Sequence, residues 1–461
     1  MSFRSFLCAD QRGGITPLML VLFIGLILTT GIALDLARYE SERSDLQNAL
    51  DRGALAAASL SQTLDVETTV NEYLDTRMLS REPLSVSVIS QDAIDARRVD
   101  ASAIYDMDTT FLRMAGMSDM SVPAVSAAAQ QTEHLEVSLV VDISGSMARE
   151  FTGGTAFKRL DVLRSSARNF VDAVLTPSAI PTTTMSLVPY SGQVNAGVMF
   201  DYFNNGRVHT YSSCTEFVSE DFDTTALPAA NARAQVPHFQ WFTFEGGRGH
   251  AADWGWCPSD DQSIVPLSND PDALKAQITG LIGHDGTGTP NGMKWGLGLL
   301  DPTTQTLTQN LVTAGAVNTD FADRPVAYNT PDTLKVLVVM TDGNIRYQQR
   351  PGPQYYNSQS DRVYLANNRL SSSRATLQNS SQRNADEALQ SNRFLALCSL
   401  AKQSGVIVFT IGFDISIGSD AYSEMRACAS SPSHFYDVDG LDLDAAFQQI
   451  ATNITKLKLV L

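Results

Sequence analysis

Histidine is scarce in this chain, and none of it is spaced for metal hydrolysis. The six histidines stand at positions 134, 209, 238, 250, 284 and 434, and no pair has the H-E-x-x-H spacing that sets two imidazoles on one helix face around zinc. G-x-S-x-G is also missing, so no serine sits on the strand–turn–helix elbow of a hydrolase. Basic residues are outnumbered, 33 Lys and Arg against 50 Asp and Glu, for a net charge of −17. A phosphate backbone calls for a basic face, so nucleic acid is not an expected partner. An acidic surface instead suits solubility or the attraction of cations. Apolar residues are in ordinary supply at 43 %, which makes long-range disorder the wrong default. The 461 residues suffice for two or three domains with a sizeable core.

Charge is absent altogether from residues 15–34, "ITPLMLVLFIGLILTTGIAL". As a helix rising about 1.5 Å per residue, this run spans roughly 30 Å, the thickness of a bilayer core. Arg4 and Arg12 precede it, whereas Asp35, Arg38, Glu40 and Glu42 follow. The cleaner positive bias of the leading flank predicts a cytoplasmic tail (1–14), a single membrane span (15–35) and everything beyond on the outer side. A cleaved secretory signal is the alternative; the length of the run and the lack of a small-x-small cleavage site speak against it. Cysteine usage agrees. Cys8 stands before the span, and Cys214, Cys257, Cys398 and Cys428 stand after it. An even number in an oxidising compartment suggests two bridges, and sequence order favours Cys214–Cys257 and Cys398–Cys428 among the three possible pairings. Four free buried thiols are the alternative.

The next segment, "RYESERSDLQNALDRGALAAASL", places Leu46, Ala49, Leu50, Gly53, Ala54 and Ala57 on one helix face. No proline intervenes, so the membrane helix is expected to continue into it. A face of such small residues fits a helix laid closely on a small sheet; a helix–helix assembly face is the alternative. Residues 61–82 read as a further helix. "LSVSVIS", "ARRVDASAIYDM" and "MSVPAVSAAAQ" read as strands, giving a small α+β stalk over 36–130.

From 131 the rhythm becomes strand, helix, strand. The apolar, β-branched runs 135–142, 184–191, 333–342 and 405–413 read as buried parallel strands. Helical stretches at 158–175, 271–282, 291–300, 384–404 and 441–457 alternate with them, which predicts a doubly wound α/β domain over 131–461. Two insertions interrupt it. The first, about 200–265, holds Trp241, Trp254 and Trp256, with Phe200, Tyr202, Phe203, Tyr211, Phe217, Phe239, Phe242 and Phe244. It reads as a subdomain with its own aromatic core, closed by a disulfide; an aromatic platform for glycan or peptide is the alternative. The second, about 345–383, is rich in Ser, Gln, Asn and Arg and reads as a mobile surface loop.

Asp142 and Asp342 each end an apolar run, "LEVSLVVD" and "TLKVLVVMTD". In an open parallel sheet, ligands bind beyond the carboxyl ends of the strands, so both carboxylates are expected at that edge. Ser144 and Ser146 follow Asp142 around a turn eased by Gly145. The glycine-rich "GHDGTGTPNG" (283–292) adds Thr287 and Thr289. Two carboxylates at one edge repel; a divalent cation resolves that, with hydroxyls filling coordination positions without adding charge. Alone, D-x-S-x-S is as readily a helix-capping turn. His284, three residues before Thr287, reads as a loop histidine in an ordinary hydrogen bond.

"VVDISGSM", "DGTGTPNG" and "VVMTDGN" resemble the three loops of the von Willebrand factor A domain, where they form a metal-ion-dependent adhesion site. Carried over by position, the resemblance assigns Asp142, Ser144, Ser146, Thr287 and Asp342 as ligands of Mg²⁺ (or Mn²⁺ or Ca²⁺). The N-terminal membrane helix followed by "DLQNALDRGALAAASL" is similar to TadE/TadG-like proteins of Flp (tight-adherence) pilus assembly, whose TadG-like members carry a large extracytoplasmic A domain. The resemblance implies a single-pass protein of the bacterial inner membrane with its bulk in the periplasm. It also implies pilus assembly or cell adhesion, with a protein partner that donates a carboxylate to the metal and no enzymatic role. An envelope hydrolase and a purely structural pilin-like scaffold are the competing readings.

Overall fold

The computed structural model describes residues 15–59, 64–78, 84–92, 96–131, 134–149, 158–241, 255–331 and 333–458. Arg4, Cys8, Arg12, Phe242, Phe244, His250 and Trp254 lie outside them. The chain forms two compact units, Met1–Thr132 and Glu133–Leu461.

The first unit comprises α1 (Thr16–Ala58), α2 (Val66–Met78) and an antiparallel sheet of β1 (Leu84–Asp92), β2 (Ala96–Asp108) and β3 (Asp119–Gln131) in the order β1-β2-β3. The proline of α1 stands in its first turn, where no amide donor is needed, so the helix runs unbroken for 43 residues. Its leading part is long and apolar enough to cross a membrane, and Leu18, Phe23 and Leu26 are exposed there. Further along, Leu46, Ala49, Leu50, Gly53, Ala54 and Ala57 are all buried. They pack with Val70 and Leu74 of α2 and with Val99, Ala101, Ala103 and Val122 of the sheet. Small residues are needed there: a Cβ on Gly53 would lie 3.2 Å from the Val70 carbonyl oxygen. The small-residue face covers a sheet and a short helix within the unit.

The second unit is built on a six-stranded sheet: β4 (His134–Asp142), β5 (Thr183–Tyr190), β6 (Val265–Ser268), β7 (Thr333–Thr341), β8 (Ile407–Phe413) and β9 (Phe435–Val438). The order is β6-β5-β4-β7-β8-β9, parallel except for the edge strand β6. The helices are α3 (Arg159–Val174), α4 (Phe200–Phe203), α5 (Pro271–Thr279), α6 (Thr289–Gly298), α7 (Gln305–Thr313), α8 (Gln359–Asn367), α9 (Ser380–Gln403), α10 (Asp420–Cys428) and α11 (Leu443–Lys458). Successive strand residues point to opposite faces. Leu139 and Val141 therefore enter one core with Phe170 of α3 and Phe447 of α11. Val140 enters the other, with Trp295 of α6 and Phe394 of α9. Both faces of the sheet are covered, as the continuous apolar runs require.

Two expectations need correction. Among the described residues, the first insertion has no aromatic core of its own. Phe200, Phe203, Phe217 and Phe222 join the main core around Trp295, while Phe239, Trp241 and Trp256 pack on Leu365, Leu370 and Ala375 of the second insertion. The second insertion is correspondingly structured. It forms α8 behind a Ser358–Asp361 capping box, and Arg383 lies over the rings of Trp241 and Tyr347. Its polar composition concealed the few apolar residues that anchor it. Both disulfides join neighbours: Cys214–Cys257 within the first insertion, and Cys398–Cys428 between α9 and the end of α10.

Candidate metal centre

β4 and β7 run side by side, with Val141 opposite Met340, so Asp142 and Thr341 finish level at the carboxyl edge of the sheet. Thr341 donates its hydroxyl to Asp142 Oδ2 at 2.7 Å, and the Ser144 amide donates to Asp142 Oδ1 at 2.7 Å. On the other side, Asp142 pairs with Tyr190 at the end of β5. The Tyr190 hydroxyl lies 3.1 Å from the Met340 carbonyl, 3.3 Å from Thr289 Oγ1 and 3.4 Å from Asp142 Oδ2. It ties three strands and the start of α6 together beneath the site.

The turn after β4 carries the hydroxyls. Ser144 Oγ is 2.9 Å from Ser146 Oγ, and Ser146 Oγ donates to Asp342 Oδ1 at 2.6 Å. Asp142, Ser144, Ser146 and Asp342 thus form one continuous polar chain across two loops. Thr287 arrives on the third loop. The His284 amide bonds the Ile143 carbonyl at 2.8 Å, which holds that loop against the first, and the Thr287 carbonyl accepts from the Arg346 amide at 2.9 Å. Thr287 is buried, and its hydroxyl bonds none of the other four residues. The His284 ring meets Ser259 Oγ at 3.2 Å and the Ile282 carbonyl at 3.1 Å. The glycines of this loop provide clearance: a Cβ on Gly288 would overlap the Gly192 carbonyl, and one on Gly292 would lie 2.6 Å from the Tyr190 ring.

Burial first, then the charge of Asp142, pushes the Asp342 carboxyl up to about 7; Ser146 and Arg159 oppose this. Burial also raises Asp142, against the hydrogen bonds of Ser144, Thr341 and Tyr190. Arg159, the first residue of α3, is the nearby cation. Its guanidinium lies 3.4 Å from Asp342 Oδ2 and 3.3 Å from the Ser146 carbonyl, and it pairs with Asp414 beyond β8. Sequence reasoning missed Thr341, Tyr190, Arg159 and Asp414. Thr341 had a signal, since it directly precedes Asp342; the others depend on strand register and on where α3 begins.

The donor set fits a hard divalent ion. All donors are oxygens, and the observed 2.9 and 2.6 Å separations approach the edge of an octahedron with bonds of 2.0–2.1 Å, about 2.8–3.0 Å. Two buried carboxylates with one nearby guanidinium leave negative charge for a cation to neutralise. Among the described residues no group of three or more His, Cys, Asp or Glu is placed to hold a metal, so an ion at these loops would need the hydroxyls as well as the two carboxylates.

The strand order, the antiparallel edge strand and the three loops at the carboxyl edge define a von Willebrand factor A-like domain. Residues 13–60 match the family model of putative Flp pilus-assembly TadE/G-like proteins. The chain therefore joins a TadE/G-like N-terminal region to an A-like domain. Among solved structures, it is similar to the von Willebrand domain of the type V pili tip protein Mfa5 from Porphyromonas gingivalis. That match has 16 % identity and a TM-score of 0.36, over 71 % of this chain and 97 % of that one. It is also similar to the pilus adhesin SpaC from Lactobacillus rhamnosus GG, at 14 % identity and a TM-score of 0.37, over 81 % of this chain but only 35 % of SpaC. The PilB minor pilin from Streptococcus sanguinis matches at 14 % identity and a TM-score of 0.34, over 81 % and 77 %. Likeness this distant carries no functional argument. No curated protein sequence matches the chain.

Proposed function

We propose that this chain is a membrane-anchored envelope protein of Flp/Tad-type pilus assembly or adhesion. Its A-like domain grips a carboxylate of a partner protein through a divalent cation held by Asp142, Ser144, Ser146, Thr287 and Asp342. The observation that carries this reading is the chain Ser144–Ser146–Asp342, which brings oxygens of two loops to coordination spacing. When bound, the cation supplies a position that accepts an oxygen from another molecule. Three of the five ligands are neutral hydroxyls, so the ion keeps its attraction for an incoming carboxylate. Thr341 and Tyr190 orient Asp142, and Arg159 holds the second oxygen of Asp342. The two insertions pack on each other, and Arg346, where the second begins, holds the Thr287 loop. They select the partner.

Two disulfides and a leading apolar helix fit a domain outside the cytoplasm, anchored in the inner membrane. The non-enzymatic reading is supported by the TadE/G-like N-terminal region rather than by the serines, since Ser146 donates to the Asp342 carboxylate. Capture of envelope proteins in Mg²⁺ and in chelator tests the reading, with wild type beside Asp142→Ala. Capture should need both the metal and Asp142. Undiminished capture by folded, metal-free Asp142→Ala would mean that the insertions bind alone.

A further inference from the structure

The connection between β2 and β3 docks onto α1 at an unexpected level. Asp35 is fully buried and accepts three backbone amides from this connection, those of Thr110 (3.2 Å), Phe111 (2.7 Å) and Leu112 (2.8 Å). Arg38 adds a hydrogen bond to the Thr110 hydroxyl at 3.0 Å. The Phe111 ring lies directly on Gly31, where any Cβ would overlap it. Gly31 is inside the uncharged run, which ends at Leu34. At roughly 1.5 Å per residue, the ring sits about 4–5 Å inside the end of that run.

The loop is closed and shaped. The Thr109 amide bonds the Ser118 carbonyl at 3.0 Å, and the Met117 amide bonds the Leu112 carbonyl at 3.1 Å. Beyond the buried Leu112 it turns two large apolar side chains outward, Met114 at 73 % and Met117 at 51 % exposure. On α1 at the docking level, Leu34 and Leu36 are exposed as well. No residue among the described ones of this unit covers these groups, and the apolar medium that a membrane-spanning α1 enters at this level is the bilayer.

We propose that Phe111–Met117 is a membrane-interface finger, which inserts Met114 and Met117 into the outer leaflet of the bilayer that α1 spans. The proposal rests on reading α1 as a membrane anchor. Asp35 makes the arrangement affordable at a hydrocarbon boundary, because three amides replace the water that its carboxylate would lose. Arg113 and Arg38, which pair with Asp108 and Asp35 on long and partly exposed stems, stand at the level of the headgroup phosphates. The finger and the helix together fix the tilt and rotation of the stalk on the membrane, which a single helix leaves free.

The test uses the full chain with Cys8→Ser, reconstituted in phosphatidylethanolamine–phosphatidylglycerol vesicles. The fluorophore NBD is attached to one cysteine at a time: Met114→Cys, Leu22→Cys inside the uncharged run, or Leu55→Cys near the far end of α1. Lipids carrying a doxyl group near the top of the acyl chain are the quencher. Emission at 114 should shift to shorter wavelength and lose most of its intensity, as at 22, while 55 stays unquenched. Quenching at 22 without quenching at 114 would overturn the finger and leave the anchor standing. No quenching at 22 would overturn both.

Discussion

The Arg159 guanidinium lies 3.4 Å from Asp342 Oδ2, the oxygen that Ser146 leaves free when it donates to Oδ1. Arg159 also pairs with Asp414, so one side chain links the start of α3, the loop after β7 and the end of β8. In the metal-free protein it is the counter-charge of the site. Arg159→Ala should destabilise the metal-free protein by roughly 3 kcal/mol, the usual cost of stranding one half of a buried pair. It should also enlarge the stabilisation given by Mg²⁺, because a competing cation is gone. Thermal unfolding of both proteins with and without Mg²⁺ checks this; an unchanged Mg²⁺ effect would count against the assignment.

The pH dependence follows from the raised Asp342 carboxyl, about 7 in the folded protein against about 3.9 unfolded. Between these values the folded metal-free protein holds a proton that the unfolded chain has released. Its stability should therefore fall as pH rises from about 4 to 7 and level off above, with the raised Asp142 acting in the same direction. Mg²⁺ must displace that proton, so its affinity should rise over the same window. Titration calorimetry at pH 6 in two buffers of different ionisation enthalpy reads the released proton directly. Identical heats in both would contradict it.

Gly288→Ala touches no proposed ligand. Its Cβ would overlap the Gly192 carbonyl, and backbone cannot step aside as a flexible side chain can. The loop carrying Thr287 should shift, costing about 1–3 kcal/mol in stability and weakening Mg²⁺ binding while the fold persists. Calorimetry beside circular dichroism separates the two effects; full Mg²⁺ affinity in the variant would remove Thr287 from the ligand set.

Removing the Cys214–Cys257 bridge by a double serine substitution should cost about 2–4 kcal/mol. Those cysteines form a buried cluster with Val236. Chemical denaturation of oxidised, reduced and substituted protein reads the change, and non-reducing peptide mapping checks the pairing. Crossed pairs or free thiols at these positions would contradict the structure.

The strand ends were legible because buried parallel strands are written as continuous apolar runs, so a carboxylate closing such a run marks the sheet edge. Asp142 and Asp342 were found this way. β6 and β9 were not, since four residues such as "FYDV" give too short a pattern to tell from a loop. The aromatic insertion was misread because composition reports that rings will be buried but not against what. Phe203 meets Trp295 on α6, which is 92 positions away in sequence, and Trp241 meets Tyr347. Tyr190 and Arg159 gain their roles only from register and from the placement of α3, neither of which a linear pattern encodes.

Calorimetric titration of the chelator-treated full chain with Mg²⁺ or Mn²⁺ decides whether the three loops hold one divalent cation. Wild type should bind one ion per chain, and Asp142→Ala none. The circular dichroism of that variant should be unchanged, because the loss is confined to the carboxyl end of β4, where relief of carboxylate repulsion offsets part of the cost of stranding the Ser144 amide and the Thr341 hydroxyl. A wild type that binds no ion, or an Asp142→Ala protein that binds one with the same affinity, would contradict the metal site.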